Sequence, residues 1–319
     1  MQQVFISVVN VLHSPRDIAQ LRPWLEGLFS ELREHYTDYE FVLVNNGNWT
    51  GDIDAVIREL PEALRQHVFL LNLSARVDRN NALLAGLDRA NGDYTVIFES
   101  VFAAQPQLVS AIFEKSRREN FDMVYLRARE RQMPVATKLL YRVFYFILRR
   151  YSGLKIDPRA HHSRVISRRA LNSLLRLREN SHYIKANYAM VGYSNAFVEV
   201  EEPLTVEPDM RFGEQVRTAL VAITSFTDFL RSVLFWIFMF SVLVAGVAII
   251  NAIKVKFTNV DIFGDHQPVL SGWAFLVVMI SSFFAITCLN LYIMSIYLSN
   301  IYAEIKNRPL YIIESVKRY

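Results

Sequence analysis

The residues best suited to chemistry in this 319-residue chain lie in one basic stretch. Between Arg117 and Arg169 fourteen Lys or Arg face four Asp or Glu, whereas the whole chain carries a net charge of only +4. Such a concentration calls for an anionic partner. Arg127, Arg129 and Arg131 present guanidinium forks matched to phosphate oxygens, unless Arg129 or Arg131 simply pairs with Glu130 or Asp122. Farther along stand the adjacent imidazoles His161 and His162 and then Arg164. Neighbouring residues rarely aim at one ion, so hydrogen bonding to phosphate or solvent competes with metal ligation there. Nucleic acid is a poor fit as the anion, because Tyr141, Phe144, Tyr145 and Phe146 follow an apolar helical pattern and are not spread along strands as stacking platforms. Lipid headgroups and phosphorylated lipids fit better. The only cysteine, Cys288, excludes an intramolecular disulfide and a cysteine-ligated metal.

The elements that must hold these residues alternate. Apolar runs at Val4–Leu12, Phe41–Asn45, Val68–Leu73, Tyr94–Phe98 and Met123–Leu126 read as buried strands. Helices are expected from Pro15 to about His35, Asp52 to Leu64, Arg79 to Ala90 and Gln105 to Asn120. This is an α/β pattern, a mostly parallel sheet flanked by helices, and such sheets bind ligands beyond the C-terminal ends of their strands. His13, Asn45 to Asp52, Arg76 to Asn81 and Glu99 to Ala104 are therefore the segments placed to meet a ligand. From Pro134 to Tyr151 a helix mixes apolar and aromatic residues with Lys138, Arg142, Arg149 and Arg150. It reads either as an interfacial helix with snorkelling cations or as a core helix with a solvated basic edge.

Two segments, Ser232–Ile253 and Gly272–Tyr297, are long, apolar and free of Asp, Glu, Lys and Arg, and are read as a transmembrane hairpin. The loop 254–271 carries two Lys and two Asp, while Arg231, Lys306, Arg308, Lys317 and Arg318 flank the other ends. The positive-inside bias then puts both termini in the cytoplasm. Met1–Val11 lacks the features of a secretory signal, so the N-terminal domain is expected to stay in the cytosol. The expected layout is a cytoplasmic domain over 1–210, an amphipathic juxtamembrane helix over 211–231, the hairpin over 232–297 and a C-terminal tail over 298–319.

Several stretches carry a family resemblance. These are Tyr297-Leu-Ser-Asn-Ile-Tyr-Ala-Glu-Ile-Lys-Asn-Arg-Pro-Leu-Tyr-Ile-Ile313, Ala219-Leu-Val-Ala-Ile-Thr-Ser-Phe-Thr-Asp-Phe-Leu230, Ala82-Leu-Leu-Ala-Gly-Leu-Asp-Arg-Ala-Asn-Gly-Asp93 and Phe41-Val-Leu-Val-Asn-Asn-Gly-Asn48. Together they resemble the family 2, GT-A-fold glycosyltransferases that act on polyprenyl phosphates, such as bactoprenol glucosyltransferases, aminoarabinose-type transferases and dolichol-phosphate mannose synthases. The resemblance implies an inverting transfer from a nucleotide sugar to a polyprenyl (undecaprenyl) phosphate at the cytoplasmic face of a bacterial inner membrane. It also implies a homo-oligomer, a tetramer in many relatives; Ala245 and Gly246 in the first span would permit close helix packing.

Residue by residue, the resemblance implies donor binding by Asn45, Asn46, Arg76 and Glu99, with Asn45 and Asn46 standing where the family has an Asp-Asp-Gly-Ser turn. The metal-holding Asp-x-Asp reads Glu99-Ser100-Val101, which leaves Glu99 as the one carboxylate to meet Mg²⁺ or Mn²⁺. The Gly-Asp-Phe-Arg-Leu segment reads His161-His162-Ser163-Arg164-Val165. Glu99, His162 and Arg164 thus take the catalytic positions, and Arg127, Arg129, Arg131 and Lys138 those of the acceptor phosphate. A phosphate monoester is mostly dianionic near pH 7 and needs little help from a base, so loss of the family's Asp is tolerable. The leaving diphosphate does need cations. The loss of three acidic positions leaves open a second reading, a non-catalytic member that binds lipid phosphate or serves in assembly.

Overall fold

The computed structural model describes residues 2–47, 49–132, 135–177, 184–205, 212–260, 262, 264, 272–305 and 309–319. Asp261, Asp265, Lys306 and Arg308, which entered the topology expectation, lie outside the described residues, as does the side chain of Arg131.

The chain opens with β1 (Gln2–Leu12), α1 (Pro15–Ala19), α2 (Leu21–His35), β2 (Tyr36–Asn45), α3 (Thr50–Arg58) and α4 (Glu62–Arg65). It continues through β3 (Val68–Leu73), α5 (Arg79–Arg89), β4 (Tyr94–Ile97), a 3₁₀ turn at Ser100–Phe102, α6 (Gln107–Glu119) and β5 (Met123–Ala128). Next come β6 (Arg131–Gln132), α7 (Val135–Tyr151), β7 (Ala160–Ser167), α8 (Arg168–Arg176), α9 (Ile184–Met190), β8 (Asn195–Val200) and β9 (Leu204–Thr205). The last elements are α10 (Phe212–Phe226), α11 (Phe229–Thr258), α12 (Gly272–Ile305) and β10 (Ile313–Arg318).

Eight strands form one sheet in the order β10-β3-β2-β1-β4-β7-β5-β8. The pairs β1–β2, β2–β3, β1–β4 and β5–β8 are parallel, whereas β7 runs antiparallel to β4 and β5, and β10 antiparallel to β3. One face is covered by α2, α3, α4 and α6, which bury Trp24, Leu28, Ile57 and Phe113. The other is covered by α5, α8 and α9, which bury Ala82, Leu171, Ile184 and Tyr188. Burial on both faces is why the central strands read as continuous apolar runs. Gly86 sets the approach of α5: a Cβ there would stand 2.5 Å from Val9 Cγ1 and 2.9 Å from Val44 Cγ2.

Three expected helices are interrupted, and prolines account for two of them. The helix expected over Pro15–His35 breaks at Gln20, because Pro23 has no N–H to return to the carbonyl of Ala19. Pro61 likewise separates α3 from α4 within the helix expected over 52–64. Between α10 and α11, the Thr227 hydroxyl donates to Ile223 O at 2.7 Å and accepts from Phe229 N at 3.3 Å, closing one helix and opening the next.

The segments Phe229–Thr258 and Val278–Ser299 are long and apolar enough to cross a membrane, and they are not core helices, since 0% and 6% of their most apolar windows is buried. Helix α11 continues five residues beyond Ile253 to end at Asn259, which takes the left-handed conformation of a C-cap. Helix α7 packs Phe144, Tyr145, Ile147 and Leu148 against Ala222 and Ile223 of α10. Its opposite side exposes Leu139, Val143 and Phe146. The side chains of Lys138, Arg142, Arg149 and Arg150 are exposed as well. Leu139, Val143 and Phe146 thus form an exposed apolar stripe bordered by basic side chains.

The segment 298–319 is more than a tail. After α12 the chain returns to the sheet as β10, where Lys317 Nζ meets Asp54 Oδ2 at 2.5 Å, Tyr319 also hydrogen-bonds Asp54, and Tyr311 donates to Asp88 at 2.8 Å.

Overpacking at Gly86 supplies a test of the α5–sheet contact. Gly86→Val should lower unfolding stability by about 1–3 kcal/mol, read as a lower denaturant midpoint with an unchanged slope.

Candidate functional site

The parallel strands β1, β2, β3 and β4 end at Leu12, Asn45, Leu73 and Ile97, and the polar residues that follow them gather along one edge. Asn46 ties two of these loops together. Its Nδ2 donates to Val77 O at 2.9 Å and lies 2.7 Å from His13 Nδ1, while its Oδ1 accepts from Val77 N at 2.9 Å. Arg76 closes the chain at 3.0 Å from His13 Nε2. Asn45 Nδ2 donates to Thr50 Oγ1 and to Asn72 Oδ1, and Asn72 Nδ2 donates to Ser315 Oγ of β10. Asn45 and Asn46 are 1% and 0% exposed, so both expected donor-side amides work inside the protein. Asn45 Oδ1 is enclosed without a partner.

At the end of β4, Glu99 is the centre of the edge. Its Oε2 accepts from His162 N at 3.0 Å and from Ser163 N and Oγ at 3.3 Å, and its Oε1 faces Arg79 Nη2 at 3.2 Å. Glu99 N in turn donates to Ser163 Oγ at 2.9 Å. Burial opposes the charge, but Arg79 first, then His162, His161 and Lys185, outweigh it and hold the carboxyl at about 2. His162 is pushed well below the ordinary imidazole range by burial and by Lys185, against the pull of Glu99. It is therefore neutral near pH 7, and its Nδ1 has no partner. Lys185, carried on α9, donates to Ala160 O at 2.6 Å.

The expected divalent-cation position does not fit a metal. Val101 offers no ligating atom, one oxygen of Glu99 is saturated by backbone and hydroxyl donors, and the other faces a guanidinium. Among the described residues no group of three His, Cys, Asp or Glu side chains is placed to hold an ion. The Arg79 guanidinium stands against Glu99 Oε1 there.

The remaining expected residues divide. Arg127 is engaged by Asp157 at 3.0 Å and Glu199 at 3.6 Å and lies over the Phe197 ring at 4.4 Å. Exposed Arg129 pairs with Glu201 at 3.2 Å, not with Glu130 or Asp122; Asp122 is taken by Arg169. Lys138 stands on the exposed side of α7, apart from the Glu99 cleft. Arg164 is not beside Glu99: it is buried, lies 3.6 Å over the Tyr188 ring and lines a second cavity with Lys185. Sequence reasoning singled out neither Arg79 nor Lys185. Arg79 had a signal, since it follows the N-cap Asp78 in a segment placed at the strand ends. Lys185, on a seven-residue helix beyond the expected elements, had none.

The sheet and its polar edge make this a GT-A-like α/β domain. Residues 18–175 match the model described as Glycosyl transferase family 2. The chain is 27% identical over 304 residues to a glycosyltransferase of Synechocystis sp., covering 92% of this chain and 91% of that one. It is 25% identical to a glycosyltransferase of Bacillus subtilis over 96% of this chain and 92% of that one. To the prophage bactoprenol glucosyl transferase homologue of Escherichia coli it is 26% identical, over 91% and 92% of the two chains. Among solved structures, a glucosyl-3-phosphoglycerate synthase from Mycobacterium tuberculosis in complex with Mn²⁺, UDP-glucose and phosphoglyceric acid aligns with a TM-score of 0.49 and 17% identity, over 70% of this chain and 78% of that one.

The Glu99 cluster carries a pH signature. A carboxyl held at about 2 contributes its full stability above the ordinary value of 4.5 and loses it as pH falls towards 2. Wild-type denaturant midpoints should fall across that window. Glu99→Gln should flatten the fall and cost about 3 kcal/mol at pH 7, because Arg79 and two backbone N–H groups lose their anion.

Proposed function

We propose that the protein moves a sugar from a nucleotide-sugar donor to a polyprenyl phosphate at the cytoplasmic face of a bacterial inner membrane. The observation that carries this reading is α7. One face of it packs on α10, which leads into α11, while the other presents Leu139, Val143 and Phe146 among basic side chains. A surface of that kind seats in the headgroup layer and brings the strand ends to a lipid-borne phosphate. The bactoprenol-transferase names of full-length relatives support the same acceptor.

In this reading the donor diphosphate lies beyond β1 to β4, near Arg76 and Arg79. The acceptor phosphate is mostly dianionic near pH 7 and attacks the anomeric carbon with inversion, without a strong base. The departing nucleoside diphosphate gains charge, and fixed guanidinium groups in a poorly solvated cleft stabilise it. Glu99 orients Arg79 and the β7 backbone. Neutral His162 offers its partnerless Nδ1 to the cleft as a hydrogen-bonding group. Lys254 and Lys256 at the far end of α11 are fewer than the cations flanking the near ends, which supports cytoplasmic termini.

A second reading is favoured by the Asn45–Asn72 and Asn46–Val77 bonds, which occupy the amides expected to meet the donor. The domain would then bind lipid phosphate without transferring sugar.

Nanodisc-reconstituted protein supplied with undecaprenyl phosphate and a panel of labelled nucleotide sugars separates the two. Transfer to the lipid, reduced at least a hundredfold in Arg79→Gln, is the expected result. Lipid binding with no transfer from any donor would establish the second reading. Phe146→Glu should raise the apparent KM for the lipid several-fold with little change in kcat, since it weakens seating in the bilayer and leaves the cleft intact.

A further inference from the structure

On the α9 side of β7, away from the Glu99 cleft, a cavity of about 50 Å³ lies between β5, β7, α9 and the loop that follows α7. One water requires roughly 10–15 Å³, so the space suits a small multi-atom group. Its floor holds an electrostatic anomaly. Arg164 is 4% exposed, yet no carboxylate among the described residues lies within ion-pair distance of it. Two of its N–H groups donate to the carbonyls of His161, at 3.0 Å, and His162, at 3.2 Å, and its plane rests on the Tyr188 ring at 3.6 Å. Carbonyl and ring contacts orient a guanidinium but do not neutralise it, Glu99 acts on it only from beyond ion-pair distance, and a buried charge without a contact counter-ion is costly.

Three further features point to what completes it. Tyr188 is 4% exposed, lines the same cavity, and its hydroxyl has no hydrogen-bond partner. Lys185 and Lys155 also line it, the latter exposed at the mouth with Asn195. The one acidic lining residue, Asp157, is already engaged by Arg127 and by the Tyr125 hydroxyl. Three cations, a spare hydroxyl donor and an otherwise neutralised carboxylate define a site for an anion.

We propose that this cavity binds a phosphate-type oxyanion, held by Arg164, Lys185 and the Tyr188 hydroxyl, at a site distinct from the cleft at Glu99. A planar guanidinium and an O–H donor suit tetrahedral oxyanions. The mouth opens beside the loop leading out of α7, so the ligand arrives either as free phosphate or as the phosphate of a membrane lipid. The site stands on its own observations and does not require sugar transfer.

The test is calorimetric titration of the full-length protein in nanodiscs with inorganic phosphate at constant ionic strength, then in nanodiscs with and without undecaprenyl phosphate. Saturable phosphate binding is expected, weakened about tenfold in Tyr188→Phe, which keeps the ring under Arg164 and removes only the hydroxyl. It should be lost in Arg164→Gln and unchanged in Arg79→Gln, whose side chain belongs to the other cleft. Competition by the lipid would identify a membrane source, and binding indifferent to the lipid a soluble one; both support the site. Absence of phosphate binding by the folded protein overturns the proposal. So does binding that survives intact in Tyr188→Phe and disappears in Arg79→Gln.

Discussion

The partly buried carboxylate of Glu99 joins parts of the domain that have no other reason to meet. It stands at the end of a parallel strand, accepts from the backbone of the antiparallel strand beside it, and fixes the first residue of α5 through Arg79. Those three elements form the wall of the cleft. With its charge satisfied in this way, the carboxylate acts as an internal anchor and brings cationic side chains to the strand ends. An Asp-x-Asp pair would instead leave oxygens turned outward for an ion.

A second constraint is topological. The chain leaves the sheet after β8, passes through α10 and the two apolar helices, and returns to the far edge as β10. Ser315 on that returning strand accepts from Asn72, which accepts from Asn45, so the C-terminal strand reaches the floor of the expected donor turn. Lys317 and Tyr319 on Asp54 secure α3 to the same edge. The returning strand and the expected donor turn thus share one hydrogen-bonded framework.

Much of this was legible from residue patterns. The strands β1, β3 and β4 are buried on both faces, so unbroken β-branched and aliphatic runs marked them, and the two helices apolar enough to cross a membrane declared themselves by length and lack of charge. β7 was missed as a strand because His161, His162 and Arg164 interrupt the apolar pattern with side chains that serve the two cavities. β10 was hidden for a different reason: an edge strand is half-exposed, and Ile313-Glu-Ser-Val-Lys-Arg318 carries too many polar residues to signal burial. At the site, spacing correctly gathered Asn45, Asn46, Arg76 and Glu99 at the strand ends. It could not show that the two amides face inward, that Arg127 and Arg129 are spent on carboxylates, or that Arg164 points into another cavity. Those are facts of side-chain partnership between elements far apart in sequence.

The account rests on fixed cations, Arg79 foremost, neutralising a donor diphosphate where the family's acidic pair is gone. Calorimetry of nucleotide-sugar binding in EDTA and in Mg²⁺ or Mn²⁺, with wild-type protein and Arg79→Gln, addresses it directly. The account predicts equal wild-type affinity with and without the divalent ion and a loss of at least about tenfold in the variant. Donor binding that appears only with the metal, or that Arg79→Gln leaves untouched, would contradict it.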